Sequence, residues 1–172
     1  KVLEASESGL IDYLPRHQVT DLMTEDGAVT GIQGNILENC IIRRGEESSR
    51  EVIGTFEYTA DAVVVASGGI GANLELVKEN WPSRLGLPPK NMVSGVPAFV
   101  DGKMLEITKR AGGRIVNRDR MWHYTEGLKN WDPIWKNHGI RILPGPSSMW
   151  FDARGDRFKA PNFPGFDTLS TL

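Results

Sequence analysis

A single cysteine, Cys40, in 172 residues excludes any internal disulfide. It fits a reducing compartment, so a cytoplasmic protein is expected. No apolar run reaches the roughly 18 residues that suggest a membrane-spanning helix, and no leader pattern opens the chain. Charge of neither sign dominates: 20 Lys and Arg stand against 22 Asp and Glu, a net charge of -2. No basic face for nucleic acid or for an anionic membrane follows from that balance. The three histidines, His17, His123 and His138, share no metal-ligand spacing, and no metal site is expected. No nucleophile elbow is present either, since Ser147 and Ser148 lie between a proline and a methionine. What remains is an ordinary globular composition, 40% hydrophobic and 24% charged, enough for a packed core.

The pattern along the chain predicts an α+β fold. Residues 2–14 read as a helix end or a linker, stopped by Pro15. Gln18-Val19-Thr20-Asp21-Leu22-Met23-Thr24 alternates with period two, as a half-buried strand does. Glu25-Asp26-Gly27 supplies a hairpin turn, and residues 28–37 alternate again. The charged tract 43–51 reads as a solvated hairpin tip. Residues 52–58 give a third strand, completing an antiparallel β-meander.

Residues 62–66 differ in kind: Ala62-Val63-Val64-Val65-Ala66 is the continuous β-branched run of a strand buried on both faces. Asn73 caps a short helix over 74–80, ended by Trp81-Pro82. Asp101 opens a second helix, with Met104, Ile107, Thr108 and Ala111 on one face. Lys109 and Arg110 suit the dipole in its last turn, and Gly112-Gly113 supplies its left-handed cap. Residues 114–117 read as a short strand, as do 140–143 and 149–151. Lys1 at one end and Asp167-Thr168-Leu169-Ser170-Thr171-Leu172 at the other read as mid-chain material, so an internal segment of a larger protein is expected.

Ser67-Gly68-Gly69-Ile70-Gly71 follows the buried-strand pattern and precedes the capped helix. Counted from Gly69, the third glycine of a dinucleotide fingerprint would fall on Leu74. The acidic residue that binds ribose, about 20 residues on, is also missing. A free-standing Rossmann domain is therefore rejected. A strand ending in two glycines still lets a ligand approach the main chain, because no Cβ intervenes; otherwise it is a plain strand-to-helix turn.

The order of these segments resembles the middle of flavoproteins of the fumarate reductase/succinate dehydrogenase family, which includes 3-ketosteroid dehydrogenases. Three pieces carry the resemblance: Ala60-Asp61-Ala62-Val63-Val64-Val65-Ala66-Ser67-Gly68-Gly69-Ile70-Gly71-Ala72-Asn73, the helix from Asp101-Gly102-Lys103-Met104 to Ala111-Gly112-Gly113, and the turn Asp152-Ala153-Arg154-Gly155-Asp156-Arg157-Phe158. It implies a discontinuous FAD-binding domain, here residues 1–73, with an inserted small α+β capping domain, here 74–172. It implies that the backbone of Val19 meets adenine. Ala66, Ser67, Gly68 and Gly69, with Asn73, would lie along the FAD edge. The family's G-x-G-x-x-G and its His-Pro-Thr motif are absent; Met121-Trp122-His123-Tyr124-Thr125-Glu126-Gly127 stands where the latter is sought. Fumarate and succinate are thereby disfavoured, and a ketosteroid-like enone is the expected substrate. Alone, the piece is expected to hold FAD poorly or not at all.

Flavin chemistry leaves the protein to position substrate and move a proton. His123 and Tyr124 are the proton-transfer candidates by type, against ordinary packing with a hydrogen-bonded polar tip. Arg141, in an apolar pattern, suits a carbonyl or carboxylate oxygen, against a structural ion pair. Trp122, Trp131, Trp135 and Trp150 read as groove lining or as core. Expected partners are a small-molecule substrate, the remainder of the FAD domain, and a second copy through exposed apolar surface. The alternative to an enzyme segment is a non-catalytic folding or interaction module without bound cofactor.

Overall fold

The computed structural model describes residues 1–121, 127–135, 137–141 and 149–159. Antiparallel sheets dominate, with short helices between them, a mixed α/β character. The chain divides into two compact units. The first holds Lys1–Ile42, Ser48–Ala66 and Glu106–Arg114; the second holds Arg43–Glu47, Ser67–Leu105 and the described residues from Ile115 on.

In the first unit, helix α1 (Val2–Glu7) buries none of its residues. It ends before Pro15, at Gly9 with φ +74°. There the Leu10 and Gly9 amides donate back to the Ala5 and Ser6 carbonyls at 2.9 and 3.0 Å, a Schellman cap. Strands β1 (His17–Glu25), β2 (Ala28–Leu37) and β3 (Val52–Thr59) form the expected meander in the order β1-β2-β3. Asp26 and Gly27 both take positive φ, 49° and 78°, which the two-residue hairpin turn requires because only that twist matches the strands.

The sheet's apolar centre is Leu37 and Phe56, both buried. The Phe56 ring lies 4.9 Å from His17 and 5.1 Å from Tyr58. Arg16 ties off the open end of the meander. Its Nε donates to the Glu38 carbonyl at 2.8 Å and its Nη2 donates to the Ser49 carbonyl, while the Leu37 amide donates to the Arg16 carbonyl at 2.9 Å.

Helix α3 (Lys103–Arg110) runs as the sequence predicts, with Ile107 buried and Lys109 and Arg110 in its last turn. Asp101 Oδ1 accepts from the Lys103 amide at 3.1 Å. Gly112, φ +88°, and Gly113 close it by donating to the Lys109 and Thr108 carbonyls at 3.0 and 2.9 Å.

In the second unit, Asn73 caps α2 (Leu74–Glu79), and Val77 is its buried residue. Strands β4 (Leu128–Lys129) and β5 (Gly139–Ile140) form a short hairpin. Phe151 and Arg157 bridge antiparallel across a tight turn. In it, Asp152 Oδ1 accepts from the Arg154 and Asp156 amides at 2.8 and 3.0 Å, with Gly155 at φ +86°.

Several local expectations fail, among them the strand over 149–151, where Phe151 makes only an isolated bridge. Residues 62–66 have no ladder partner among the described residues, and Val64 is 90% exposed; a run patterned for burial has no neighbouring strand to pair with. Residues 114–117 form no strand and have no ladder partner among the described residues. The charged tract is more than a solvated tip: Arg44 Nε donates to Asp132 Oδ1 at 3.0 Å and the Gly45 amide donates to the Ile134 carbonyl at 3.2 Å. No helix among the described residues is long and apolar enough to cross a membrane.

Candidate functional site

In the second unit, the chain leaves residues 62–66 and turns at Ser67-Gly68-Gly69, all exposed. Gly68 takes φ +82°, a conformation that side chains rarely adopt. A Cβ on Gly69 would meet nothing within 4 Å, so the main chain there lies open to a ligand edge.

The turn is fixed from behind. The Ala72 amide donates to the Val100 carbonyl at 3.0 Å and the Asn73 amide to the Ile70 carbonyl at 2.8 Å. Ser94 Oγ donates to the Gly71 carbonyl at 2.9 Å. Gly102 takes φ +83°, where a side chain is strained, and a Cβ there would stand 2.7 Å from Leu76 Cδ2 and 2.9 Å from Ile70 Cγ2. Asn73 spends its side chain on this frame: Oδ1 accepts from the Leu76 amide at 3.1 Å and Nδ2 donates to the Asp101 carbonyl at 3.4 Å. Ser67, Gly68, Gly69 and Asn73 are thus brought together within seven residues of one another, an open face backed by a rigid one. A dinucleotide such as FAD fits that face chemically, because exposed main-chain groups without a Cβ can contact a phosphate or sugar.

Val19 and Ala66 belong to the first unit. Val19 is half-buried in β1 and lies opposite Gly34 of β2. Arg141 follows β5 directly and is half-buried. His123 and Tyr124 lie outside the described residues.

Sequence reading passed over His138 except as a non-ligand. It is buried, its ring 4.0 Å from that of Trp135. Its Nδ1 accepts from the Ile134 amide at 3.3 Å and lies 2.9 Å from Asn130 Nδ2. A main-chain amide can only donate, so Nδ1 is the acceptor and the proton sits on Nε2. His138 therefore pins the loop between β4 and β5, three residues before Arg141. Only its burial could have signalled this, and burial is not local to the sequence. Trp131, in the same loop, is 80% exposed. A recess of about 470 Å³ bounded by residues 79–83 and 117–119 contains none of the predicted site residues.

A family model described as an FAD binding domain matches residues 1–168. A KsdD-like steroid dehydrogenase of Mycolicibacterium smegmatis is 57% identical over 166 residues, covering 96% of this chain and 30% of that protein. A KsdD-like steroid dehydrogenase of Mycobacterium tuberculosis is 58% identical over 162 residues, covering 94% of this chain and 29% of its own length. The chain thus spans about 30% of the length of the curated relatives it matches. No solved structure matches it at a significant level. With the match running almost end to end, across the meander, the double-glycine turn and both capped helices, the chain belongs to the FAD binding domain family.

Proposed function

We propose that this chain is part of an FAD-dependent dehydrogenase or reductase acting on a ketosteroid-like enone. The open Ser67-Gly68-Gly69 main chain carries the reading, in a family of FAD binding domains whose relatives are named steroid dehydrogenases. Bound flavin supplies a two-electron acceptor or donor for a substrate carbon. Residues 1–73 contribute to the FAD-binding domain and 74–172 to a small α+β cap. The Val19 backbone holds the adenine end. Ala66, Ser67, Gly68 and Gly69 lie along the cofactor's edge, with Asn73 fixing the turn that presents them. His123 and Tyr124 move the substrate proton, and Arg141 binds the carbonyl oxygen through its fixed fork of donors.

The chain by itself is read differently, as a folding module that does not retain cofactor. The exposure of Val64 favours this second reading, because the remainder of the FAD domain is what would pair with residues 62–66. The same apolar surface suits self-association of the isolated chain, which light scattering reads directly. Visible absorption after desalting tests both readings. The full-length protein is expected to keep a flavin band and to oxidise a 3-ketosteroid with an artificial electron acceptor. The chain alone is expected to pass through colourless. A colourless full-length protein overturns the enzyme reading; a yellow chain overturns the module reading.

A further inference from the structure

The register of β1 against β2 shifts at two places, and one of them is beside Val19. Val19 stands opposite Gly34, but the next pair is Asp21 with Gln33. Two residues advance on β1 against one on β2, so Thr20 is a bulge. A bulged residue leaves the ladder, and its main-chain groups need other partners. Thr20 finds one outside the sheet: its carbonyl accepts from Arg110 Nη2 at 3.3 Å. The same Nη2 lies 3.5 Å from Asp21 Oδ1, and that oxygen also accepts from the Leu22 amide at 3.1 Å. One guanidinium thus spans the carbonyl of the bulge and the carboxylate that follows it.

Arg110 is itself held. It stands at the end of α3, one turn after the buried Ile107. The cap beyond it is closely packed: a Cβ on Gly113 would fall 2.6 Å from Thr108 Cγ2 and 2.7 Å from the Thr108 carbonyl oxygen. On the opposite strand, a Cβ on Gly34 would fall 2.0 Å from the Gln18 carbonyl oxygen. Close main-chain approach on one side and a side-chain staple on the other therefore set where the Val19 backbone lies. Bulges recur beside functional sites because they re-aim groups and end pairing.

We propose that Arg110 is a positioning residue for the adenine end of FAD, acting through the Thr20 bulge on the Val19 backbone. The inference rests on the reading of Val19 as the adenine contact. Both contacts are made by one nitrogen at the end of a long side chain, and a lysine ammonium, a shorter point charge with its own hydration, replaces it only in part.

The test uses the deflavinated full-length protein, titrated with FAD and with FMN, which lacks the adenylate half, and read by flavin fluorescence. Wild type is expected to prefer FAD. Arg110→Met is expected to weaken FAD about threefold to fivefold, the upper part of the range for an exposed ionic contact, and to leave FMN unchanged. Arg110→Lys should recover part of the FAD loss. Equal weakening of both flavins by Arg110→Met, or no change in either, overturns the role assigned to Arg110. A wild type that binds FAD and FMN equally instead overturns the adenine reading of Val19, and this inference with it.

Discussion

Two glycines of the same sheet should respond oppositely to one added methyl group. Gly34 of β2 lies so close to β1 that a Cβ would stand 2.0 Å from the Gln18 carbonyl oxygen and 2.9 Å from Phe56 Cε1. Real Cβ atoms essentially never come within 3.0 Å of such neighbours, so the strands must part by at least 1.0 Å, the difference of the two distances. The first obstacle is main chain, and no rotamer relieves it. Gly34→Ala should therefore cost about 3 kcal/mol, the upper end for overpacking. Gly54 of β3 faces only the Ile36 side chain, Cδ1 at 3.6 Å and Cβ at 3.8 Å, and its φ is not in the left-handed region. Gly54→Ala should be neutral or stabilise by about 0.4–1 kcal/mol, by restricting the unfolded chain. Native-state hydrogen exchange over residues 17–37 of the full-length protein reads the local opening energy. At about 1.4 kcal/mol per tenfold, Gly34→Ala should speed exchange about a hundredfold while Gly54→Ala leaves it unchanged or slower. Equal responses would refute the claim that strand approach, rather than glycine content, sets this sheet's stability.

Two further substitutions probe pins that hold loops. Arg16→Met keeps the stem but removes the donors to the Glu38 and Ser49 carbonyls. Exchange at the open end of the meander should quicken by the equivalent of about 2 kcal/mol, and unchanged exchange there would sink the pin. His138→Phe keeps a ring against Trp135 but leaves the Ile134 amide and the Asn130 side chain without their acceptor. It should cost about 1–3 kcal/mol locally, seen as faster proteolytic cutting between β4 and β5; wild-type cutting rates would show that the acceptor is dispensable.

What was legible in the sequence is what neighbouring residues decide. Period-two alternation and Asp26-Gly27 gave β1, β2 and β3 nearly to the residue. Asn73 and Gly112-Gly113 marked helix ends that the structure closes with the hydrogen bonds those residues supply. What was not legible depends on partners distant along the chain. The Thr20 bulge is a register relation between two strands, and alternation through Gln18-Val19-Thr20-Asp21 carries no sign of it. Arg110 looked sufficient as a cation in a last helical turn, yet its partners are Thr20, 90 residues away, and the adjoining Asp21. Arg44 looked like one charge in a solvated tip, and it meets Asp132. For the candidate site, residue types marked Ser67-Gly68-Gly69, whereas the frame behind it, Ser94, Val100 and Gly102, joins through contacts that no motif records.

Residues 62–66 put composition and structure in direct opposition, and the opposition is informative. Ala62-Val63-Val64-Val65-Ala66 is patterned for a strand covered on both faces, yet Val64 is 90% exposed and Val65 42% exposed. Burying a valine side chain is worth about 1.5–3 kcal/mol, so this stretch alone forgoes several kcal/mol when left uncovered. An apolar, unpaired strand edge also invites association with other chains. Both penalties vanish if a strand pairs with it and the rest of that domain covers its faces. The curated relatives are more than three times as long as the matched region, and on the proposed reading they supply that strand. The same step bears on the cofactor. The open main chain of Gly68 and Gly69 follows residues 62–66 directly in the chain, so a strand paired there would end at the turn the cofactor would meet. Cofactor binding and strand pairing should therefore be coupled: FAD should protect the amides of residues 62–69 from exchange in the full-length protein, and in the isolated chain it should not.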